Sequence, residues 1–365
     1  MRRSVFCLLA FFLLTGTVSA ISIRHDVPEA DYFALASEYP SVGRIDVAGF
    51  GPLCTGTLVA PTKVLTAAHC VDGVFGNADN QVDIPVGGTT FKLGNNVGSP
   101  VATATASAIA VNNWNNQDRF DMAVITLSSP ISSVAPLAIS DENPSGMLGT
   151  MIGFGSHGNG LNFNFADDNR KRAAQNIIDV VGQTIETDFD HPNGSTNSTG
   201  SSQPLGLEGT TAAGDSGGPF AVNLSGTDAI VGVLNGGFNP FGPESRYGDI
   251  SIWAPVRLTR NRNFLIAQGL TIGVPDGVSG DFDADGDYDC DDINALTTAV
   301  TSGSSNNAFD LDGNGSVDVA DVTAWRAEAG NANLGPDRSY PVGDANLDGS
   351  VDISDFNLWN ANKFT

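Results

Sequence analysis

The sequence predicts an all-β domain followed by a small helical module built on acidic loops, and three observations predict it. Between residues 41 and 268, short apolar or β-branched runs are punctuated by Gly and Pro about every ten residues. Beyond residue 280, three aspartate-rich segments align without gaps. At 365 residues the chain is too long for one small domain.

Arg2 and Arg3 open the chain, an apolar run follows from Val5 to Leu14, and Val18-Ser19-Ala20 supplies small residues. That order predicts an export signal over 1–20, cleaved after Ala20, and the run is too short to span a bilayer. No later segment is apolar for long enough to be a membrane span. The formal net charge of −24 argues against a nucleic-acid partner. In an oxidising compartment Cys54 and Cys70 are expected to pair and close a loop that holds His69, worth ~3 kcal/mol by chain entropy. Cys290 is left over, and is read as a partly buried small residue rather than a reactive thiol.

In order along the chain, strands are expected on both sides of Pro61, at 106–111 and at 123–127, with a helix-like stretch reaching Gln268. Residues 193–204 are polar and nearly featureless, which predicts a mobile surface loop. Gly269 to Gly280 reads as a linker. The expected organisation is therefore signal 1–20, main domain 21–268, linker 269–280 and C-terminal module 281–365.

The chemistry centres on Gly214-Asp215-Ser216-Gly217-Gly218-Pro219, where glycines permit backbone angles that a Cβ forbids and let a substrate approach Ser216 closely. A serine nucleophile needs a base, and Thr66-Ala67-Ala68-His69-Cys70 offers one. A carboxylate to orient that base lies in Asp121-Met122-Ala123-Val124-Ile125-Thr126-Leu127. These stretches, in the order His, Asp, Ser, resemble the trypsin/chymotrypsin family of serine proteases. Weaker matches are Gly153-Phe154-Gly155, Val231-Gly232-Val233-Leu234 and Trp253-Ala254-Pro255-Val256.

The resemblance implies a chymotrypsin-like double barrel and a secreted endopeptidase acting on protein or peptide substrates. It implies Ser216 as nucleophile, His69 as base, Asp121 as the group that orients it, and the N–H groups of Gly214 and Ser216 as oxyanion hole. It also implies the Cys54–Cys70 bridge. Asp215 is expected to pair with a new N-terminus. Arg44-Ile45 lies too close to His69 to supply it, so the amine of Ile21 is expected to do so after signal cleavage. The position that sets charge preference falls on Thr210, with Gly237 and Ser251 as pocket walls. With no carboxylate at Thr210, and Glu208 two residues too early, no preference for Lys or Arg is expected. The alternative reading is a catalytically silent protease fold used for binding, against which intact His69, Asp121 and Ser216 argue.

The three C-terminal repeats place oxygen side chains at alternate positions and an aspartate at position 12. The first has Asp281, Asp283, Asp285, Asp287, Asp289 and Asp292; the second has Asp310, Asp312, Asn314, Ser316, Asp318 and Asp321; the third has Asp344, Asn346, Asp348, Ser350, Asp352 and Asp355. Glycine stands at position 6 of each, and this is the ligand spacing of a calcium loop. Ile293/Leu296, Val322/Trp325 and Phe356/Trp359 come after the loops at a spacing that shares one helix face. The pattern resembles dockerin type I repeats, in triplicate where that family normally has two. The resemblance implies structural calcium, no cofactor for catalysis, and a cohesin-like or cell-surface docking partner. From residue 276 onward there are 18 Asp and Glu against 3 Lys and Arg, so this segment holds most of the chain's net negative charge.

Overall fold

The computed structural model describes residues 21–72, 78–164, 168–200, 203–224 and 226–273, and beyond them 280, 282, 288–304, 306, 309–312, 314, 316–335 and 338–362. The expected signal (1–20), most of the linker, and Asp281, Asp283, Asp285 and Asp287 lie outside the described residues. The chain divides into two compact units. The first takes in most of the chain up to Leu270, and the second runs from Thr271 onward with the short pieces Ala138–Ser140 and Asn223–Ala229.

The first unit opens with β1 (Ser22–Ile23) and α1 (Glu29–Ser37). It continues through β2 (Val42–Val47), β3 (Gly51–Ala60), β4 (Lys63–Thr66), β5 (Thr89–Leu93), β6 (Ala102–Val111) and β7 (Ala123–Leu127). Strands β2 to β7 close into a barrel in the order β2-β3-β4-β7-β6-β5. Alternation drives it: in β5, Thr89, Phe91 and Leu93 are buried while Thr90 and Lys92 are half-exposed. The Phe91 ring packs so close to Gly43 that a Cβ there would lie 2.7 Å from it, so β2 carries glycine at that point. Arg44-Ile45 is embedded in β2, with Ile45 fully buried and Arg44 paired to Asp46.

There follow β8 (Ala138–Ile139), β9 (Leu148–Gly153), β10 (His157–Asn159), β11 (Phe163–Asn164), β12 (Arg172–Ile177), β13 (Val180–Val181) and β14 (Ile185–Asp188). Then come β15 (Gly209–Thr210), β16 (Pro219–Leu224), β17 (Thr227–Phe238), β18 (Ile250–Pro255) and α2 (Thr259–Ala267). The second sheet runs β12-β9-β16-β17-β18-β14-β13. The Asn176 amide of β12 donates to the Asp188 carbonyl of β14, drawing distant strands of this path together into a barrel-like curl. Two barrel-like sheets thus fit the expected double barrel. A small sheet, β11-β10-β1-β15, is new: Ser22 pairs with Gly158 in parallel and with Thr210 in antiparallel.

Two buried cations hold α1 and the turn after it. Arg172 meets Glu29 at 2.5 Å and Asp168 at 2.6 Å. Lys171 donates to the carbonyl of Tyr39 at 2.6 Å, and burial pushes its ammonium down to about 8. The stretch expected to be a mobile loop is tied down where it is described: the Ser198 and Thr199 N–H groups donate to Asp188, and the Ser198 hydroxyl to the carbonyl of Gly248. Its polar composition therefore encodes specific hydrogen bonds.

The second unit carries α3 (Cys290–Ser302), α4 (Val319–Leu334) and α5 (Ile353–Asn362), one after each acidic loop. Asp289 and Asp292 form a reciprocal N-terminal cap on α3, and Asp318 and Asp321 do the same on α4. Leu296, Trp325, Ala329 and Tyr340 form the core, with Ile293 and Val322 packed against it. The Trp325 indole N–H donates to the Gly280 carbonyl at 2.7 Å. Two expectations are corrected. Phe356 is exposed rather than packed like its counterparts, because the core closes around α3 and α4. Cys290 is exposed at the start of α3, and partial burial together with Asp289 and Asp291 raises its thiol, which keeps it from being a thiolate.

Trp325→Ala should remove the largest fully buried side chain of this unit and destabilise it by about 3–5 kcal/mol. Hydrogen exchange on the full chain should show the amides of α3 and α4 losing protection while those of the β2–β7 barrel keep theirs.

Candidate active site

His69 sits in a 3₁₀ turn (Ala68–Cys70) directly after β4, and Asp121 ends another turn just before β7. β4 and β7 are paired, with Thr66 opposite Ala123, so the barrel's hydrogen bonding itself brings the two side chains together. Asp121 is fully buried. Its Oδ1 accepts the His69 backbone N–H at 2.8 Å and its Oδ2 accepts from His69 Nδ1 at 2.6 Å. A carboxylate can only accept, so Nδ1 carries the hydrogen and Nε2 is left as the basic nitrogen. Burial by itself would lower the His69 pKa, but the charge and hydrogen bond of Asp121 outweigh it, with help from Asp118, and the net shift is upward.

A third donor to Asp121 was invisible in the sequence. The Asn235 side-chain amide reaches Oδ2 at 2.7 Å. Between β17 and β18 the register shifts from Leu234 opposite Trp253 to Gly236 opposite Ile252, so Asn235 is the extra residue of a bulge. A bulge re-aims one side chain out of the alternation. No local pattern marks this residue, because its role depends on pairing with a strand that comes later in the chain.

The Ser216 loop is fixed to the segment bearing His69 through backbone. The Ser216 carbonyl accepts the Thr55 N–H at 2.9 Å and the Gly214 carbonyl accepts the Thr55 hydroxyl at 3.1 Å. The adjacent Cys54 is joined to Cys70 by the expected disulfide. Gly217, at φ +79°, lies so close to Thr66 that a Cβ would fall 2.1 Å from its hydroxyl oxygen. Among the described residues no hydrogen bond joins the Ser216 hydroxyl to His69. The Asp215, Gly217 and Gly218 N–H groups are taken by the carbonyls of Ala212, Leu234 and Asp215, and none of these bonds uses the N–H of Gly214 or Ser216.

Asp215 points away from this cleft. It is buried, and its two oxygens accept the N–H groups of Gly155 at 2.8 Å and Ala212 at 2.9 Å. Burial raises its carboxyl to about 8, with Arg172 a distant and insufficient counter-charge. Gly153 gives it room, since a Cβ there would fall 2.0 Å from Oδ1. Ile21 is fully buried, one residue before the Ser22 pairings with Gly158 and Thr210.

A cavity of about 180 Å³ opens beside Ser216, lined by Thr211, Ala212, Leu234, Gly236 and Gly237 among others. Of the three residues assigned to a pocket from sequence, Gly237 lines it. Thr210 and Ser251 sit behind the lining and hydrogen-bond to each other at 2.8 Å. Glu208 is buried elsewhere, accepting the N–H groups of Asp190 and Leu205, and burial raises its carboxyl to about 8.

In the C-terminal unit, Asp310, Asp312 and Asp321 place carboxylate oxygens within 4.8 Å of one another. In the third repeat Asp344 accepts the N–H groups of Asp348 at 3.1 Å and Gly349 at 2.8 Å, and Asn346 donates to Asp348. The position-12 aspartates bind backbone at position 2: Asp292 to Phe282, Asp321 to Leu311, Asp355 to Ala345. Asp352 accepts the Ser354 N–H, as a cap does. Much of the repeat pattern thus has a structural role in shaping turns and helix starts. Asn314 and Ser316 take part in the same turn, through the Ser316 N–H to Asn314 Oδ1 at 2.9 Å.

Replacing Asp121 by Asn should move the His69 pKa downward, because burial then acts without its compensating charge. Imidazole NMR titration of the two proteins measures this directly, and an unchanged value would mean that Asp121 does not set the His69 protonation.

Comparison with known proteins gives the family. The trypsin family model matches residues 34–257, more than half of the chain. A protein named Trypsin from Saccharopolyspora erythraea is 28% identical over 196 residues, a match covering 50% of this chain and 75% of that relative. With one strand order, one disulfide and one histidine–aspartate pair already in place, this chain belongs to the trypsin family of serine peptidases.

Proposed function

We propose that this chain is an exported serine endopeptidase in which Ser216, His69 and Asp121 carry the reaction. The observation that carries the reading is the buried Asp121 carboxylate holding His69 by both its backbone N–H and Nδ1, which leaves Nε2 free to act as base. Ser216 Oγ attacks a peptide carbonyl while Nε2 takes its proton, and the imidazolium then protonates the leaving amine. Asp121, itself held by the Asn235 amide, holds the ring through this cycle. The N–H groups of Gly214 and Ser216 receive the developing oxyanion.

In this reading residues 1–20 are a leader whose removal frees the amine of Ile21 to pair with Asp215. What supports it is the burial of Ile21 directly before the strand Ser22–Ile23 that pairs with β10 and β15, and a buried carboxyl whose raised pKa a nearby ammonium would relieve. Intact mass of the exported protein, before and after a fluorophosphonate, tests both parts. The expected result is an N-terminus at Ile21 and one adduct that disappears in Ser216→Ala. Absence of the adduct on protein of the correct mass would overturn the active-nucleophile reading and leave an unmet activation step or a silent fold used for binding, and a different N-terminus would remove the Ile21–Asp215 pair.

The C-terminal unit is proposed to hold calcium as a structural ion. Asp310, Asp312, Asn314, Ser316, Asp318 and Asp321 form the donor set best supported, because three of these carboxylates already converge. The third loop offers Asp344, Asn346, Asp348, Ser350, Asp352 and Asp355, and the first offers Asp289 and Asp292 with the undescribed Asp281, Asp283, Asp285 and Asp287. Bound calcium would offset the mutual repulsion of these groups and stiffen the unit for a cohesin-like or cell-surface partner. Chelation should raise hydrogen exchange in α4, with recovery on adding calcium. Calorimetry that detects no calcium binding to the full chain would sink this part of the proposal.

A further inference from the structure

The chain stays extended past the end of β14, with the Phe189 N–H donating to the Asp249 carbonyl at 3.0 Å and the Gly248 N–H to the Phe189 carbonyl at 2.7 Å. Alternation then puts Phe189 and His191 on one face, where each ring lies 4.5 Å from that of Tyr247, and Asp188 and Asp190 on the other. Both aspartates are buried, Asp190 at 2% exposure. Asp179, just before β13, is half-buried, and its carboxyl hydrogen-bonds to that of Asp188. Glu208 stands beside them, its two oxygens accepting the N–H groups of Asp190 at 2.6 Å and Leu205 at 2.5 Å.

Asp190 is the acid that this gathering leaves unsatisfied. Its Oδ1 is buried with no hydrogen-bond partner. Burial first, then the like charges of Asp188 and Asp179, push its carboxyl up to about 7. Arg24 comes near enough to reach the Leu205 carbonyl, but its guanidinium is engaged with Asp26. A hydrogen bond between two carboxyl groups needs a proton on one of them, so Asp179 and Asp188 lie together only while one is neutral. A cation among the three does the work of that proton and gives Asp190 Oδ1 the counter-charge it lacks.

We propose that Asp179, Asp188 and Asp190 bind a calcium ion. Calcium takes about six to eight oxygens in flexible geometry, from carboxylates, carbonyls and water. An irregular set of three carboxylates with no nitrogen or sulfur donor suits it better than zinc or the strictly octahedral magnesium. Glu208 is a positioning residue, because its oxygens are already spent on N–H groups that hold the Asp190 backbone. The three carboxylates are less tightly gathered than Asp310, Asp312 and Asp321, so binding includes a closing movement of a side chain. The polar segment 191–200 is tied to these same acids. The Ser198 and Thr199 N–H groups donate to Asp188, and Gly200 comes so close to Asp179 that a Cβ would not fit. Calcium here would set how firmly that segment is held, independently of the C-terminal repeats and of the peptidase reading.

The test is hydrogen exchange on the full-length protein at mildly alkaline pH, with calcium or with a chelator. In the natural protein calcium should slow exchange of the Ser198 and Thr199 amides by about tenfold or more, since opening of the segment must release the ion. Asp190→Asn keeps the size and removes one buried like charge. It should abolish the slowing while leaving protection of these amides in chelator undiminished. Asp179→Asn, at a half-buried position, carries the same test if Asp190→Asn does not fold. The response of α4 to calcium should be equal in all three proteins, which separates this site from the repeats. Exchange at Ser198 and Thr199 that ignores calcium in the natural protein would overturn the proposal and leave a cluster bridged by protons alone. Slowing that survives undiminished in Asp190→Asn would overturn it equally.

Discussion

One buried charge organises the catalytic half of this molecule. Asp121 has no contact with water, and three N–H donors meet its buried oxygens: two from His69 and one from Asn235. Those donors come from a turn at the end of β4 and a bulge in β17. The six-stranded barrel and the second sheet must therefore be registered to each other for the charge to be tolerated. The Thr55 contacts to Ser216 and Gly214, the Gly217–Thr66 approach and the Cys54–Cys70 bridge all tighten that same junction.

The other buried acids of the first unit are handled differently. Asp215 and Asp249 each have fewer donors than their burial calls for, and in each case the carboxyl is pushed upward rather than stabilised as an anion. Asp121 is satisfied within the fold; Asp215 is met by the N–H groups of Gly155 and Ala212, and Asp249 keeps one buried oxygen without a hydrogen-bond partner at the wall of the cavity beside Ser216. Incomplete satisfaction at a buried acid is costly, and acids perturbed in this way cluster at functional sites.

The acidic C-terminal repeats serve two ends with the same residues. Aspartates at positions 9 and 12 cap α3 and α4, and position 12 also gathers the loop's backbone N–H groups. The carboxylates at positions 1, 3 and 12 of the second loop nevertheless converge. A helix cap and an ion ligand ask for the same short acidic side chain at a turn, which is why spacing alone did not separate them. Phe356 shows the limit of the repeat: three equal sequence patterns need three equal partners to cover them, and the core built on Trp325 and Tyr340 covers two.

What the sequence by itself determined was everything carried by short-range chemistry. Strands on either side of Pro61, the glycine-flanked Ser216, the His69 turn, the paired cysteines and the helices after each acidic loop come from alternation, turn residues and spacing within a few positions. The tertiary structure alone decided which distant side chains converge. Asn235 reaches Asp121 through a bulge set by β18, and Asp249 rather than Thr210 lines the cavity because two segments 39 residues apart fold against each other. Side-chain direction in a strand has a period of two, so one inserted residue re-aims every later side chain of that strand. Only the paired strand fixes where the insertion falls.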